Sequence, residues 1–313
     1  MINSGLVSKI WHQSGISSPY LSEMKKFCLE TDASSPGTLA QLPLLFCEIN
    51  GGNQQQVAPI ITAWTLLRHA ARLLDDIEDG DAKFKTLPEP VTLNISTGLL
   101  FTVGMLLNNL EETGLCPDTA SDIRRVFYEE LLKVCSGQHL DLTQTAPTRI
   151  EDCWQIVGAK SGVFIGLVCW AGGRVACADQ EKLQLYRQFG YNLGLLDQIR
   201  DDLADLWSDN AHYSDLQNSN HQSLPIAYAL SVLPDDERQK LITHLANSDS
   251  GADAVKTSRE LIIQSGAGVY LAVQSTYYYQ QNQQLLAKMT LPNEAYDKLI
   301  ALLNKARLPT ARK

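Results

Sequence analysis

The sequence predicts an all-α protein, because apolar residues recur at helical spacing along the chain while strand patterns are nearly absent. No stretch shows a sustained alternation of apolar and polar residues, and no Asn-Gly turn joins two β-branched runs. Proline and glycine residues fall between the helical stretches, but no break is long enough to be a domain linker. We therefore expect a single helical domain over residues 1–313, with roughly ten helices.

The first strong helical pattern covers residues 57–74, where Ile60 and Trp64 share one side and Pro59 is placed in the opening turn. The same spacing of apolar residues recurs over residues 123–134. In chain order, the remaining amphipathic patterns predict helices over residues 183–206, 223–232, 237–246, 252–265, 269–289 and 293–303.

Composition excludes several classes of protein. The 313-residue chain is 44% hydrophobic, which is enough for a sizeable core and excludes disordered and fibrous proteins. Its net charge of -9 argues against nucleic acid and anionic membranes as partners. Seven cysteines occur without a Cys-x-x-Cys pair, which is typical of reduced thiols in a cytoplasmic protein.

The apolar stretches do not predict a membrane protein. The first twenty residues lack the apolar core of a signal peptide. The longest apolar stretches, 93–107 and 163–171, are interrupted by polar residues or are too short to cross a bilayer. We expect no transmembrane segment, and we interpret both stretches as helices buried inside the protein.

Two clusters of aspartate carry the chemistry of this sequence. Each cluster has two adjacent aspartates and a third one turn later, and each interrupts a strongly apolar helical pattern. A single acidic cluster is typical of a solvated helix face. Here the same spacing occurs twice, each time among apolar residues of the core. This repetition instead predicts two facing helices that present carboxylates to one pocket. The residues are Asp75, Asp76 and Asp79, and Asp201, Asp202 and Asp205.

Carboxylates without neighbouring histidine or cysteine are hard oxygen ligands, which suit Mg²⁺. In proteins, Mg²⁺ keeps several waters and is held by one or two carboxylates together with substrate phosphates. The six histidines show no pairing that would suit zinc, and neither a Walker-type loop nor a Rossmann fingerprint is present. The aspartate clusters therefore predict an enzyme that binds a phosphate ester through Mg²⁺.

With these motifs the chain resembles the trans-isoprenyl diphosphate synthase (polyprenyl synthetase) family, which has two aspartate-rich motifs of this spacing and separation. The resemblance runs from about residue 39 to about residue 307, nearly the whole chain. Further matching segments are Gly137-Gln138-His139-Leu140-Asp141-Leu142, Lys160-Ser161, the run from Phe189 to Asp202, Ser223-Leu224-Pro225 and Ser265-Gly266-Ala267.

The resemblance implies an isoprenoid-synthase fold with a central substrate cavity, a homodimer, and ionisation of an allylic prenyl diphosphate assisted by Mg²⁺. All six aspartates would bind metal. Lys160 would hold the diphosphate, although an isolated lysine is more often a surface residue. Gln198 would lie near the reacting carbons.

Three cationic positions that bind isopentenyl diphosphate in chain-elongating family members are lost or altered. The segment 36–43 has no cation, Lys83 and Lys85 replace a pair of arginines, and the lysine before the Thr-Leu-Pro segment is missing. Lysine is a point charge and does not form the bidentate fork of arginine, so the exchange is not neutral. Arg68 and Arg72, one turn before the first motif, are additional cations that form a salt bridge or contact substrate.

These departures favour transfer of the prenyl group to another acceptor, such as a small molecule or a peptide, or its cyclisation. The first outcome resembles the pheromone-modifying isoprenyl transferases, and the second resembles terpene synthases on the same fold. Conventional elongation with isopentenyl diphosphate at a rebuilt site, using Lys83, Lys85 and Arg68, is one alternative, and a non-catalytic regulatory subunit is another. Small residues at Ala70 and Ala71 predict room for a long or folded prenyl tail.

Overall fold

The computed structural model of the protein describes residues 2–34, 38–78, 87–143, 149–207, 223–246 and 252–307, and all regular structure within these ranges is helical. The predicted all-α fold class is confirmed. The α-helices are α1 Ser4–Gln13, α2 Ser18–Ser34, α3 Leu42–Ile49, α4 Gln54–Glu78, α5 Glu89–Asn108, α6 Pro117–Thr143, α7 Ile150–Val157, α8 Val163–Arg174, α9 Gln180–Trp207, α10 Leu224–Val232, α11 Asp235–Ala246, α12 Ala252–Gln264, α13 Ala267–Lys288 and α14 Asn293–Ala306.

Helix α4 begins earlier than its apolar pattern predicts, because a polar cap precedes that pattern. The side chain of Asn53 accepts a hydrogen bond from the Gln56 backbone at 3.1 Å, and the Asn53 backbone donates to the Gln56 side chain at 3.2 Å. This reciprocal capping box satisfies two donors at the start of the helix. Pro59 therefore lies inside α4 and not in its opening turn, which corrects the sequence prediction.

The described chain forms two compact units, Met1–Glu129 with Leu167–Arg187, and Glu130–Gly166 with Gln188–Lys313. In the first unit, α3, α4 and α5 build the core around Phe46 and Trp64, which are fully buried. Ser96 of α5 donates a hydrogen bond of 2.9 Å to the backbone oxygen of Ala70 in α4, which joins these two helices. The expectation of a single domain stays a prediction.

The second unit has its own apolar core, formed by α7, the C-terminal part of α9 and α10 to α13. Leu224 and Ala229 of α10, Ile199 of α9 and Leu271 of α13 are completely buried there. Helices α12 and α13 are separated by Gly266, which has a φ of 84° in the left-handed region that favours glycine. This core surrounds the helix that carries the second aspartate motif.

The two apolar stretches differ in burial. Helix α8 is almost entirely buried, as predicted, but α5 is not, because Phe101 is 72% exposed and Leu93 is 49% exposed. By length and apolarity alone, Glu89–Asn108 and Ile150–Arg174 could each cross a membrane. The second is 72% buried within the protein, as in the core helix of a soluble protein, which passes the same test. The absence of a transmembrane segment stays a prediction.

Replacing Gly172 by alanine is expected to destabilise the first unit. A Cβ atom at Gly172 of α8 would overlap the backbone oxygen and Cα of Pro43, which are not flexible side-chain atoms. Relieving such overpacking costs about 1–3 kcal/mol of unfolding free energy. Gly268→Ala is the matched control, because its Cβ would lie 3.4 Å from Trp207, an ordinary contact. Thermal or urea unfolding measures both, and equal midpoints for the two variants would contradict the prediction.

Candidate active site

The first aspartate motif lies at the C-terminal end of α4, which ends at Glu78. Asp75 and Asp76 are partly buried, and Leu73 beside them is 3% exposed. The C-terminal end of a helix is negative, so carboxylates are unfavourable there unless a cation is close. Asp79 lies outside the described residues, and its assignment stays a prediction.

The second motif lies in the last turns of α9, which ends at Trp207. Asp201 and Asp205 are exposed, and Arg200 contacts Asp201 at 3.0 Å and Asp197 at 2.5 Å. Burial alone would lower the pKa of the Arg200 guanidinium, but these two carboxylates outweigh burial and raise that pKa. Arg200 therefore stays charged and partly offsets the repulsion among the aspartates.

Asp202 is the buried member of the second motif, with 5% of its surface exposed. One of its oxygens accepts a hydrogen bond of 2.6 Å from the Gln198 amide. Its other oxygen accepts a bond of 3.0 Å from the backbone nitrogen of Leu224, the first residue of α10. The structure thus distinguishes Asp202 from Asp201 and Asp205, which the sequence treats alike as metal ligands.

Lys160 lies in a π-helical turn, Gly158–Gly162, between α7 and α8. Its amine forms an ion pair of 2.5 Å with Asp141 near the end of α6. The next residue, Ser161, donates a hydrogen bond of 3.0 Å to the oxygen of the Gln198 side chain. Ser161 thus links the two predicted catalytic residues, because it follows Lys160 in the turn and donates a hydrogen bond to Gln198.

Glycines allow this turn to form, because other chain segments come too close for a Cβ atom. A Cβ at Gly162 would lie 2.6 Å from the ring of Tyr191, and one at Gly158 would overlap the Tyr191 hydroxyl. A Cβ at Gly194 in α9 would overlap the backbone oxygen of Ser161. Turns of the π type occur frequently at functional sites. This packing fixes where Lys160 and Ser161 lie relative to Gln198.

An aromatic cluster adjoins the turn, and the sequence pattern does not reveal it because its members are far apart in the chain. The Trp154 indole donates to the Tyr270 hydroxyl at 2.8 Å, and the rings of Tyr228 and Tyr270 stack with centroids 4.3 Å apart. Burial, together with neighbouring tyrosines, raises the pKa of Tyr278 to about 12. The partly buried members are Trp154, Tyr191, Tyr228, Tyr270 and Tyr278.

The additional arginines lie on α4 before the first motif, with Arg68 partly buried and Arg72 exposed. Ala70 is fully buried and packs within the pair of helices α4 and α5. Of the two small residues that the sequence assigns to tail length, only Ala71 is therefore accessible to a ligand. The roles of Arg68 and Arg72 in substrate binding stay predictions.

The altered isopentenyl diphosphate positions fall largely outside the described residues. Lys83 and Lys85, residues 36–37 and the neighbourhood of residues 220–221 all lie outside the described residues. Their assignments therefore stay predictions from the sequence.

The available carboxylates suit Mg²⁺ better than a metal held by the protein alone. Among the described residues, no three histidine, cysteine, aspartate or glutamate side chains form a group that could hold a metal ion. Mg²⁺ does not need such a group, because water and substrate phosphate complete its coordination. Asp75 and Asp76 in one unit, and exposed Asp201 and Asp205 in the other, are oxygen donors of the required kind.

Comparison with known proteins identifies the family. The model of the polyprenyl synthetase family matches residues 39–262, a segment that contains both aspartate motifs and the Lys160 turn. The chain belongs to the polyprenyl synthetase family. Membership confirms the resemblance found in the sequence and makes the protein an enzyme of the prenyltransferase class.

Individual relatives are distant in sequence. The chain is 23% identical over 221 residues to a short chain isoprenyl diphosphate synthase of Methanocaldococcus jannaschii, an alignment that covers 66% of each chain. It is 26% identical to a geranylgeranyl diphosphate synthase of Mycobacterium tuberculosis, over 76% of this chain and 71% of that one. The fold matches a geranylgeranyl pyrophosphate synthase of Corynebacterium glutamicum, whose structure was solved with isoprenyl diphosphate and magnesium. The TM-score is 0.77 at 16% sequence identity, and the match covers 96% of this chain and 94% of that chain.

Lys160→Gln is expected to weaken binding of an allylic prenyl diphosphate by roughly ten- to hundredfold, because a hydrogen bond to a charged group contributes about 1.5–3 kcal/mol. Lys133→Gln is the matched control in the same unit, since Lys133 also forms an ion pair but is 60% exposed. Calorimetric titration with farnesyl diphosphate measures both affinities. Equal affinity in the two variants would remove Lys160 from the diphosphate site.

Proposed function

We propose that this member of the polyprenyl synthetase family is a prenyl diphosphate synthase, which lengthens an allylic prenyl diphosphate by condensation with isopentenyl diphosphate. One observation carries the proposal: the family match spans both aspartate motifs, Lys160 and Gln198. The relatives of that region are named as isoprenyl and geranylgeranyl diphosphate synthases. They support chain elongation better than the cyclisation or the unusual acceptor that the altered cationic positions favour, and they give no support to a regulatory subunit.

The reaction would begin with cleavage of the bond between the allylic carbon and the diphosphate. Bound Mg²⁺ would act as a Lewis acid that neutralises the departing diphosphate. The exposed carboxylates Asp201 and Asp205 of the second motif would hold Mg²⁺, and Asp75 and Asp76 of the first motif are oxygen donors of the same kind. Lys160 adds a positive charge to the same leaving group, and its ion pair with Asp141 fixes the position of its amine.

The allylic cation would then be attacked by the double bond of isopentenyl diphosphate, after which a proton is lost. Gln198 suits a position beside the cation, because Ser161 and Asp202 hold both ends of its amide. The oxygen of that amide is the negative end of its dipole and stabilises positive charge. Apolar surroundings protect such a cation from water, and the core around α9 is strongly apolar.

Cations near the first motif would bind the second diphosphate. Lys83 and Lys85 follow that motif in sequence, while Arg68 and Arg72 precede it on α4. Lysine binds phosphate as a point charge, so a site built on lysines attracts the diphosphate but orients it less strictly than an arginine fork.

The test of this function is product analysis with geranyl, farnesyl and geranylgeranyl diphosphates, each with and without isopentenyl diphosphate. We expect longer prenyl diphosphates that appear only when isopentenyl diphosphate and Mg²⁺ are both present. Hydrocarbon or cyclic alcohol without isopentenyl diphosphate would instead show cyclisation. Binding of the allylic substrate with neither product would contradict elongation and favour a separate acceptor.

Loss of Asp76 or of Asp201 is expected to abolish turnover while leaving the fold intact. Asp76→Ala and Asp201→Ala test the two motifs, and Asp297→Ala on the exposed side of α14 is the control. EDTA should stop the wild-type enzyme, and Mg²⁺ should restore it, because the diphosphate leaves only when its charge is neutralised. Wild-type rates in either motif variant, with circular dichroism unchanged, would contradict the metal assignment.

A homodimer through α5 is the assembly that we propose, and the exposed face of this helix supports it. Leu93, Leu100, Phe101 and Met105 are each at least 39% exposed, and Tyr128 of α6 lies beside Gly104 on the same helix. Exposed apolar patches of this kind mark protein–protein interfaces. The proposed dimer would cover this apolar face, and the chain has an acidic net charge. Both features are consistent with a cytoplasmic protein.

Phe101→Glu is expected to convert the dimer into a monomer, because Phe101 is 72% exposed and a charge in an apolar interface is costly. Val273→Glu on α13 is the control, since Val273 is 60% exposed but lies in the other unit. Light scattering after size-exclusion chromatography gives the mass. A dimer that persists in the Phe101 variant would place the interface elsewhere.

A further inference from the structure

Asp202 has surroundings that separate it from the other aspartates of its motif. Asp201 and Asp205 are exposed to solvent, whereas Asp202 is 5% exposed and each of its oxygens accepts a hydrogen bond from the protein. A buried carboxylate that accepts protein donors at both oxygens is already engaged in holding those groups. Asp201 and Asp205, by contrast, lie on the exposed side of the helix, where a hydrated cation can reach them, although Arg200 also donates to one oxygen of Asp201.

The bond between Asp202 and Gln198 decides which way the amide of Gln198 points. An ionised carboxylate only accepts hydrogen bonds, so the amide must turn its nitrogen to Asp202. The amide oxygen then faces Ser161, whose hydroxyl donates to it at 3.0 Å. Without an acceptor-only group at position 202, the amide could rotate by half a turn and present its N–H groups on the Ser161 side.

The second oxygen of Asp202 has a structural role at the start of α10. The N-cap residue of this helix, Ser223, makes no side-chain hydrogen bond to the helix, while Asp202 accepts the backbone N–H of Leu224 at 3.0 Å. A carboxylate at this end of a helix also interacts favourably with the helix dipole. Asp202 therefore fixes α10 relative to the helix that carries the second motif.

We propose that Asp202 is a positioning residue: it sets the direction of the Gln198 amide and anchors the first turn of α10, instead of binding Mg²⁺. The inference rests on the proposed function in one respect, namely that the Gln198 oxygen stabilises the allylic cation. The hydrogen-bond chain from Ser161 through Gln198 and Asp202 to Leu224 is independent of that function.

The decisive variant is Asp202→Asn. The backbone N–H of Leu224 is fixed, so the oxygen of the new amide stays on that side and its nitrogen faces Gln198. Gln198 must then rotate and direct its N–H groups toward Ser161, where they oppose a developing positive charge. We expect kcat to fall by roughly ten- to hundredfold, with the KM for farnesyl diphosphate and the half-saturating Mg²⁺ concentration changed less than twofold.

The double variant Gln198→Glu with Asp202→Asn supplies the rescue. The new carboxylate at position 198 has oxygens at both ends, so one accepts from the amide at position 202 and the other faces Ser161. The summed charge of the side chains at positions 198 and 202 is the same as in the wild type. We expect the double variant to regain most of the kcat lost by Asp202→Asn. Asp205→Asn is the contrast, because removal of an exposed metal-binding carboxylate should raise the half-saturating Mg²⁺ concentration.

Thermal unfolding of the wild type, Asp202→Asn, Gln198→Glu and the double variant gives a readout that does not depend on activity. Gln198→Glu alone places two carboxylates against each other and should lower Tm strongly, whereas Asp202→Asn in that background should raise Tm. Additive Tm shifts, or a raised half-saturating Mg²⁺ concentration in Asp202→Asn without rescue by the double variant, would overturn the inference. A wild-type enzyme without elongated product would overturn the proposed function, while the unfolding cycle would still decide the inference.

Discussion

The described aspartates of both motifs lie in the last turns of α4 and α9, and this placement is the electrostatic constraint on which each motif depends. The C-terminal ends of α4 and α9 are negative, and adjacent carboxylates such as Asp75 and Asp76 repel one another as well. On α9, Arg200 offsets part of this repulsion through its contacts with Asp197 and Asp201. Under the proposed function, a bound divalent cation would relieve the remainder, so metal binding and helix stability would favour the same state.

In the second unit, polar groups are held inside an apolar core by a series of contacts that depend on one another. Gly194 lets the backbone of Ser161 approach α9, and this approach brings the Ser161 hydroxyl to Gln198. Gln198 in turn donates to Asp202, which accepts the first N–H of α10. Each group is satisfied by the next, which is how buried polar side chains become stable in a core.

Chain elongation requires two diphosphates to be held in one enzyme of net charge -9, so local cations must overcome the field of the whole molecule. Under the proposed function, Lys160 would provide one such charge, and its ion pair with Asp141 fixes its position. Lys83 and Lys85, which follow the first motif, replace the arginine pair of chain-elongating family members. They offer positive charge but not the bidentate geometry of arginine. The similarity to diphosphate synthases is compatible with the exchange of arginines for lysines if the isopentenyl diphosphate site selects its ligand by charge more than by shape.

The sequence by itself determined the all-α class, the eight helices with strong apolar periodicity, and the two aspartate motifs, because these features depend on residues close together in the chain. It also predicted Lys160 and Gln198 through the family resemblance. It placed the start of α4 too late, since the capping box of Asn53 and Gln56 is polar and carries no apolar period.

Only the tertiary structure separated residues that look equivalent in the sequence. Asp201 and Asp202 are neighbours of one type, but helical geometry turns the first to solvent and the second to Gln198 and the start of α10. The same holds for α5, whose largely apolar sequence conceals one buried and one exposed face. Burial and hydrogen-bond partners depend on helices that are distant in the chain, and no local pattern of residues contains that information.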